Sequence, residues 1–141
     1  MEIGKEIEAL GLYLRRQRVR YMETFGLKGI QAQLILEIAD DPGISQDRLA
    51  AAVGVDKSNV ARRLAILEAC DYVARRPAPG NRRKFCLTLT EKSRRLLPRL
   101  EKADQHWEET LLQDLSHWEI NQFSSLLERI RAAAEDNHTA P

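Results

Sequence analysis

At 141 residues, 43% hydrophobic and 30% charged, the chain suits one soluble globular unit, and an acidic opening MEIGKEIEALG together with the lack of any apolar run of spanning length argues against a signal peptide and a membrane span. Two cysteines, Cys70 and Cys86, are too few for a disulfide framework, and each falls within an apolar run, which predicts buried thiols in the reducing cytoplasm. The net charge of +1 hides a division: residues 43–100 hold 13 Lys+Arg against 5 Asp+Glu, a local +8, while the rest of the chain sums to −7, so an anionic partner, nucleic acid foremost, is expected to dock on the middle segment alone.

Read in chain order, residues 2–24 have a helical pattern, with Ile3, Ile7, Leu10, Leu14 and Tyr21 forming a narrow apolar seam that FGLKG interrupts. A second helix is expected over about 29–40, with Ile30, Leu34, Ile35 and Ile38 inward, ended by the DDPG turn. ISQDRLAAAV reads as a short helix capped by Ser45 and closed at Gly54. DKSNVARRLAILEACDY is the next, capped by Asp56, with Val60, Leu64 and Leu67 on its buried face and Asp71 at a position where a positive φ is often wanted. YVARR and PAPGNRRKFCLTLT then predict a two-stranded hairpin whose tip carries Arg82, Arg83 and Lys84. Thr90 opens a long helix over about 91–113 that Pro98 should bend. Ser116 and Glu119 have capping-box spacing before a last helix over about 117–135, with Leu115 and Ile120 placed for a hydrophobic staple. The closing EDNHTAP is expected to fray.

A hairpin alone is marginal, so this one must lean on the helices before it. Helix, helix, turn, helix and hairpin is the winged helix-turn-helix order. In such modules the second helix of the turn enters the major groove and its first residues meet base edges. That helix starts DKSNVARR here, and Lys57, Ser58, Asn59, Arg62 and Arg63 leave it opposite, or at the edge of, the Val60–Leu64–Leu67 face. Asn pairs with adenine and Arg with guanine; Lys57 and Ser58, near the helix N-terminus, suit phosphate contacts, and Ser45, the cap of the preceding helix, is a further expected DNA-binding residue. One of the wing cations would enter an adjacent narrow minor groove.

The stretches PGISQDRLAAAVGVDKSNVARRLAILEACDYVARR and GNRRKFCLTLTEKSRRLL resemble the MarR family of bacterial transcription regulators, specifically over about 27–100. The resemblance implies a mainly α fold with a small β-hairpin wing: a winged helix-turn-helix lobe over 27–100, and dimerisation helices over 1–26 and 101–135. It implies a homodimer that represses by covering a palindromic operator on double-stranded DNA, and that releases it when a small aromatic or phenolic effector binds. The family wing carries Asp-x-Arg, the Asp fixing the arginine that enters the minor groove. Arg83 stands at that arginine, but the aspartate position is Asn81, and the glycine common after LTEK is Ser93.

Other constellations carry less. Arg15, Arg16, Arg18 and Arg20 interleave with aromatics in YLRRQRVRY. Their stems can simply cover apolar surface, or they can line a cationic cleft for an aromatic carboxylate, with Tyr13, Arg16 and Trp107 its residues. Asp104, His106 and His117 have ligand types that suit Zn²⁺ and are similar to the long-helix metal site of ArsR-type sensors. The capping box places His117 on a separate helix, so no metal or other cofactor is expected. A metal-responsive regulator stays an alternative, as does a winged-helix module binding an acidic protein. No Ser/His/Asp set, glycine-rich phosphate loop or convincing acid pair is present in the sequence, and an enzyme is not expected.

Overall fold

The apolar spacing at the start of the chain folds as α1 (Ile3–Met22), in a computed structural model that describes residues 2–137. α1 gives way to a 3₁₀ turn over Glu23–Phe25, and Gly26, at φ 77, closes it in a conformation that costs glycine nothing. α2 (Gln31–Asp40) begins two residues later than the hydrophobic period suggests. Gly29 takes φ 58, and the Gln31 side chain accepts the Lys28 N–H at 2.9 Å, so the chain completes a turn before the helix starts. α2 buries Gln31, Ala32, Gln33, Leu34, Ile35 and Ile38, covering more of its circumference than a one-sided amphipathic helix would.

The expected hairpin forms from two strands, and a third, which the sequence reading did not foresee, joins its sheet. After the DDPG turn, β1 (Ile44–Ser45) pairs antiparallel with β3 (Asn81–Leu89), which also pairs with β2 (Val73–Ala78), giving the order β1-β3-β2. Ile44 lies opposite Leu87 and both are buried; the Gly43 N–H donates to the Leu87 carbonyl at 2.9 Å. A two-residue strand has no period to read, and only its long-range partner reveals it.

α3 (Gln46–Val53) and α4 (Lys57–Ala69) start where the sequence places their caps. Ser45 Oγ accepts the Arg48 N–H at 3.2 Å and Asp56 Oδ1 the Asn59 N–H at 2.8 Å. Gly54 closes α3 at φ 65. α4 stops at Ala69, short of Tyr72, because Asp71 turns left-handed at φ 61. Val60, Leu64 and Leu67 are buried as expected, and join Leu34, Ile35, Ile38, Leu49, Leu87 and Leu100 in one core.

The cysteines are not the buried pair that their apolar neighbours suggest. Cys70 is exposed and Cys86 only half-buried. Cys70 falls at the end of α4, past its buried stripe, and Cys86 takes the face of β3 opposite the buried Leu87 and Leu89.

α5 (Glu91–Leu111) runs on through Pro98. Its start is held by Thr90, whose Oγ1 donates to the Asp71 carbonyl at 2.6 Å and accepts the Ser93 N–H at 3.3 Å. Ser93 is fully buried and its hydroxyl donates to the Tyr72 carbonyl, so the polar atom is satisfied where a glycine is common in the resembling family. The chain divides into two units, Met1–Gln105 and His106–Pro141. In the second, α6 (His117–Asp136) begins with the expected capping box: Ser116 Oγ accepts the Glu119 N–H at 3.2 Å and Glu119 Oε2 accepts the Ser116 N–H at 2.8 Å. Of the tail expected to fray, Glu135 and Asp136 are helical and 138–141 lie outside the described residues. No helix among the described residues is long and apolar enough to cross a membrane.

Candidate nucleic-acid interface

The basic middle of the chain projects in two places, the start of α4 and the tip of the β2–β3 wing. At α4, the exposed Lys57 and Ser58 occupy the first turn, where unpaired backbone N–H groups and the helix dipole favour an anion. Lys57 Nζ lies 3.4 Å from Asp47 and Arg48 Nη2 3.1 Å from Asp41. The basic partner of each pair is 73% exposed. Pairs so exposed hold little energy, so either cation can exchange its carboxylate for a phosphate. Asn59 is half-buried beside the cap and Arg62 is exposed one turn further on. Arg63 behaves differently from its neighbour. It is half-buried, and its guanidinium lies over Gly29, where an added Cβ would stand 3.3 Å from Arg63 Cζ. Ser45 is half-buried, with its hydroxyl used in capping α3.

At the wing, Pro79 and Gly80 make the turn, with Gly80 at φ 76 and an irregular register between Pro77 and Ala78. Arg82, Arg83 and Lys84 are all exposed. Asn81 Oδ1 accepts the backbone N–H of Arg83 at 3.0 Å. The side chain at the family's aspartate position therefore braces the tip's backbone rather than the arginine's charged end. Strand alternation puts Arg82 and Lys84 on the Cys86 face and Arg83 on the Phe85 face. Register adds a cation the sequence reading passed over: Arg76 lies opposite Cys86 and is exposed on the Arg82 and Lys84 side.

The wing is fixed against α4 by its other arginine. Arg75 Nη2 and Nε reach Glu68 Oε1 at 2.8 and 3.0 Å, and its guanidinium lies 5.6 Å from the Phe85 ring centroid. With side chains about one-third exposed, 31% and 32%, this pair is better shielded than those of Lys57 and Arg48. The hairpin thus leans on the helix whose N-terminus carries the other cationic cluster, which is how a marginal element comes to be held in a defined place.

The remaining expected sites come out as follows. Tyr13 is 59% exposed and Arg16 exposed on α1, while Trp107 belongs to the second unit. A cleft of about 490 Å³ lies against α5, lined by Tyr72, Glu91, Lys92, Arg95, Leu96 and Arg99, and none of the three lines it. Of the residues with metal-ligand chemistry, Asp104 is paired with Arg18, with Nε at 2.7 Å and Nη2 at 2.6 Å, and His106 and His117 belong to the second unit; among the described residues no group of three or more His, Cys, Asp or Glu stands where it could hold an ion. α1 supplies a contact that sequence reading missed: Arg15 reaches the turn between α3 and α4, at 2.8 Å from the Val53 carbonyl and 3.2 Å from that of Gly54.

The pattern of the MarR family matches residues 25–84. A protein assigned as the transcriptional regulator of the hcr operon in Thauera aromatica is 30% identical over 135 residues, covering 90% of this chain and 81% of its own. Among solved structures, the transcriptional regulator SlyA superposes with a TM-score of 0.84 at 26% identity, covering 97% of this chain and 96% of that one. A MarR family regulator from Listeria monocytogenes complexed with 26mer DNA has the same fold, with a TM-score of 0.86 at 20% identity over 97% of this chain and 91% of that one.

Proposed function

The chain belongs to the MarR family of transcriptional regulators and carries its DNA-binding winged-helix fold, and from that premise we propose that it is a ligand-responsive repressor, acting in the cytoplasm as a homodimer on a palindromic operator. Residues 27–100 form the DNA-reading lobe, and 1–26 with 101–135 the dimerisation helices. Asn59, Arg62 and Arg63 read base edges in the major groove; Lys57, Ser58 and Ser45 hold phosphate. Arg82, Arg83 and Lys84 follow the adjacent minor groove from the wing. The effector is a small aromatic or phenolic compound, with Tyr13, Arg16 and Trp107 the residues proposed to meet it.

The observation that carries this reading is the pairing of two exposed cationic projections, the first turn of α4 and the wing tip, held to each other by the Arg75–Glu68 contact. The relative complexed with 26mer DNA supports the same use of the fold. Selection from a randomised duplex pool, followed by titration of the enriched sequence at about 50 and 200 mM salt, tests it. An inverted repeat should be enriched, and affinity should drop by about 10³-fold or more if six or more phosphates are contacted. Binding that ignores both sequence and salt would defeat the reading, and would favour an acidic protein as partner.

A further inference from the structure

α1 does more than carry an apolar seam. Gly54 and Val55 close α3 by donating their N–H groups to Ala51 and Ala50 at 3.3 and 3.2 Å. The Val53 and Gly54 carbonyls stand at the C-terminus of α3, where carbonyls lack partners within the helix and carry its negative dipole end. Arg15 takes both with the two ends of one guanidinium, Nη2 to Val53 at 2.8 Å and Nη1 to Gly54 at 3.2 Å. The fit is close: a Cβ on Gly54 would stand 3.1 Å from Arg15 Nη2. One turn along α1, Arg18 is bound to Asp104 of α5 at 2.6 Å, in a pair whose side chains are only 31% and 34% exposed. Arg15 and Arg18, three residues apart, share a face of α1. The turn that Arg15 grips is the three-residue link, Gly54, Val55 and Asp56, that aims α4.

We propose that α1 is a strap that sets the aim of α4, with Arg15 and Arg18 as positioning residues tying the α3–α4 turn to α5. Neither is a DNA contact. Any rearrangement that shifts α1 along α5 must pull on the turn before α4 or release it, so the strap gives movement of the outer helices a route to the reading head. The effect on DNA rests on the functional reading above, whereas the strap itself does not.

The test compares Arg15→Gln, Arg15→Lys and Asp104→Asn with the unaltered full-length chain, using the duplex enriched from the randomised pool and a scrambled duplex as probes. Arg15→Gln should weaken binding to the enriched duplex about fivefold, as expected for loss of a cation at a helix C-terminus, and leave the salt slope unchanged. A lost phosphate contact would instead lower that slope by about one. Hydrogen exchange at the hydrogen-bonded amides of Gly54, Val55 and Val60, which flank this turn, should quicken in Arg15→Gln and, more weakly, in Asp104→Asn. Arg15→Lys, which keeps the charge but not the fork, should fall between. A slope lowered by one would make Arg15 a phosphate ligand and overturn the proposal, as would unchanged exchange in both Arg15→Gln and Asp104→Asn. Failure of the unaltered chain to bind either duplex would remove the functional reading, while the exchange comparison would still decide the strap.

Discussion

Asn59, in the first turn of α4, and Arg83, at the wing tip, are expected to do different work. Arg83 sits on an exposed tip whose backbone is braced by the Asn81 side chain at 3.0 Å, so its position is defined while its charged end is free to follow a groove. Backbone and groove shape are what such a residue meets. Arg83→Ala should therefore weaken binding to the enriched and the scrambled duplex alike, and lower the salt slope by about one. Asn59 is half-buried beside the Asp56 cap, in the first turn of α4, where base edges are read. Asn59→Ala should relax discrimination at one base pair per half-site by about 1–3 kcal/mol and leave affinity for the scrambled duplex nearly intact. Titrating both variants against both duplexes at two salt concentrations checks the contrast; equal losses on the two duplexes for Asn59→Ala would take that residue out of the major groove.

At the scale of elements, the reading head depends on how α4 begins. Asp56 satisfies one of the unpaired N–H groups of the first turn, and removing such a cap costs about 1 kcal/mol. Asp56→Ala should lower the melting temperature and loosen the turn that carries Lys57, Ser58 and Asn59, while Asp56→Ser, which keeps an acceptor, should restore most of the stability. Calorimetry of the two variants measures it, and equal losses would mean that the carboxylate's charge rather than its cap is at work. Caps of this kind were readable in the sequence because they are local. Ser45, Asp56 and the Ser116–Glu119 box each close within three residues, and Gly54 and Asp71 mark left-handed positions by residue type alone. What escaped the sequence joins distant segments. β1 exists because Ile44 finds Leu87, and Arg15 finds a turn 38 residues ahead. Cys70 and Cys86 misled because apolar neighbours in sequence say nothing of which side of a helix end or strand a thiol takes. Of the cationic wing, the sequence showed the tip; Arg76 needed the strand register to bring it beside Cys86.

For the whole molecule the question is what covers the apolar side chains that one chain leaves open. On α1, Ile3, Ile7 and Leu10 are 56%, 42% and 50% exposed; on α6, Phe123, Leu127 and Ile130 are 44%, 42% and 48% exposed. Each trio has helical spacing of three, four or seven residues, and no residue of α6 is buried within its own chain. A second copy, packed about a two-fold axis, would cover these stripes and present two α4 helices to one face of DNA. Leu127→Glu with Ile130→Glu should then give a monomer by sedimentation at micromolar concentration, and an unaltered chain that is itself monomeric there would sink the idea. The same symmetry makes a demand on the DNA. Two reading heads fixed in one dimer meet half-sites about one helical turn apart on the same face of the duplex. Inserting about half a turn, roughly 5 bp, between the halves of the enriched repeat rotates one half-site to the far side, since a full turn takes about 10 bp. The unaltered dimer should lose most of its preference over the scrambled duplex, while the double variant, which engages one half-site at a time, should be indifferent to the insertion. Titrating both proteins on both spacings separates a rigid two-headed reader from two independent lobes: equal tolerance of the insertion by the two proteins would show that the heads are not held in register by the dimer.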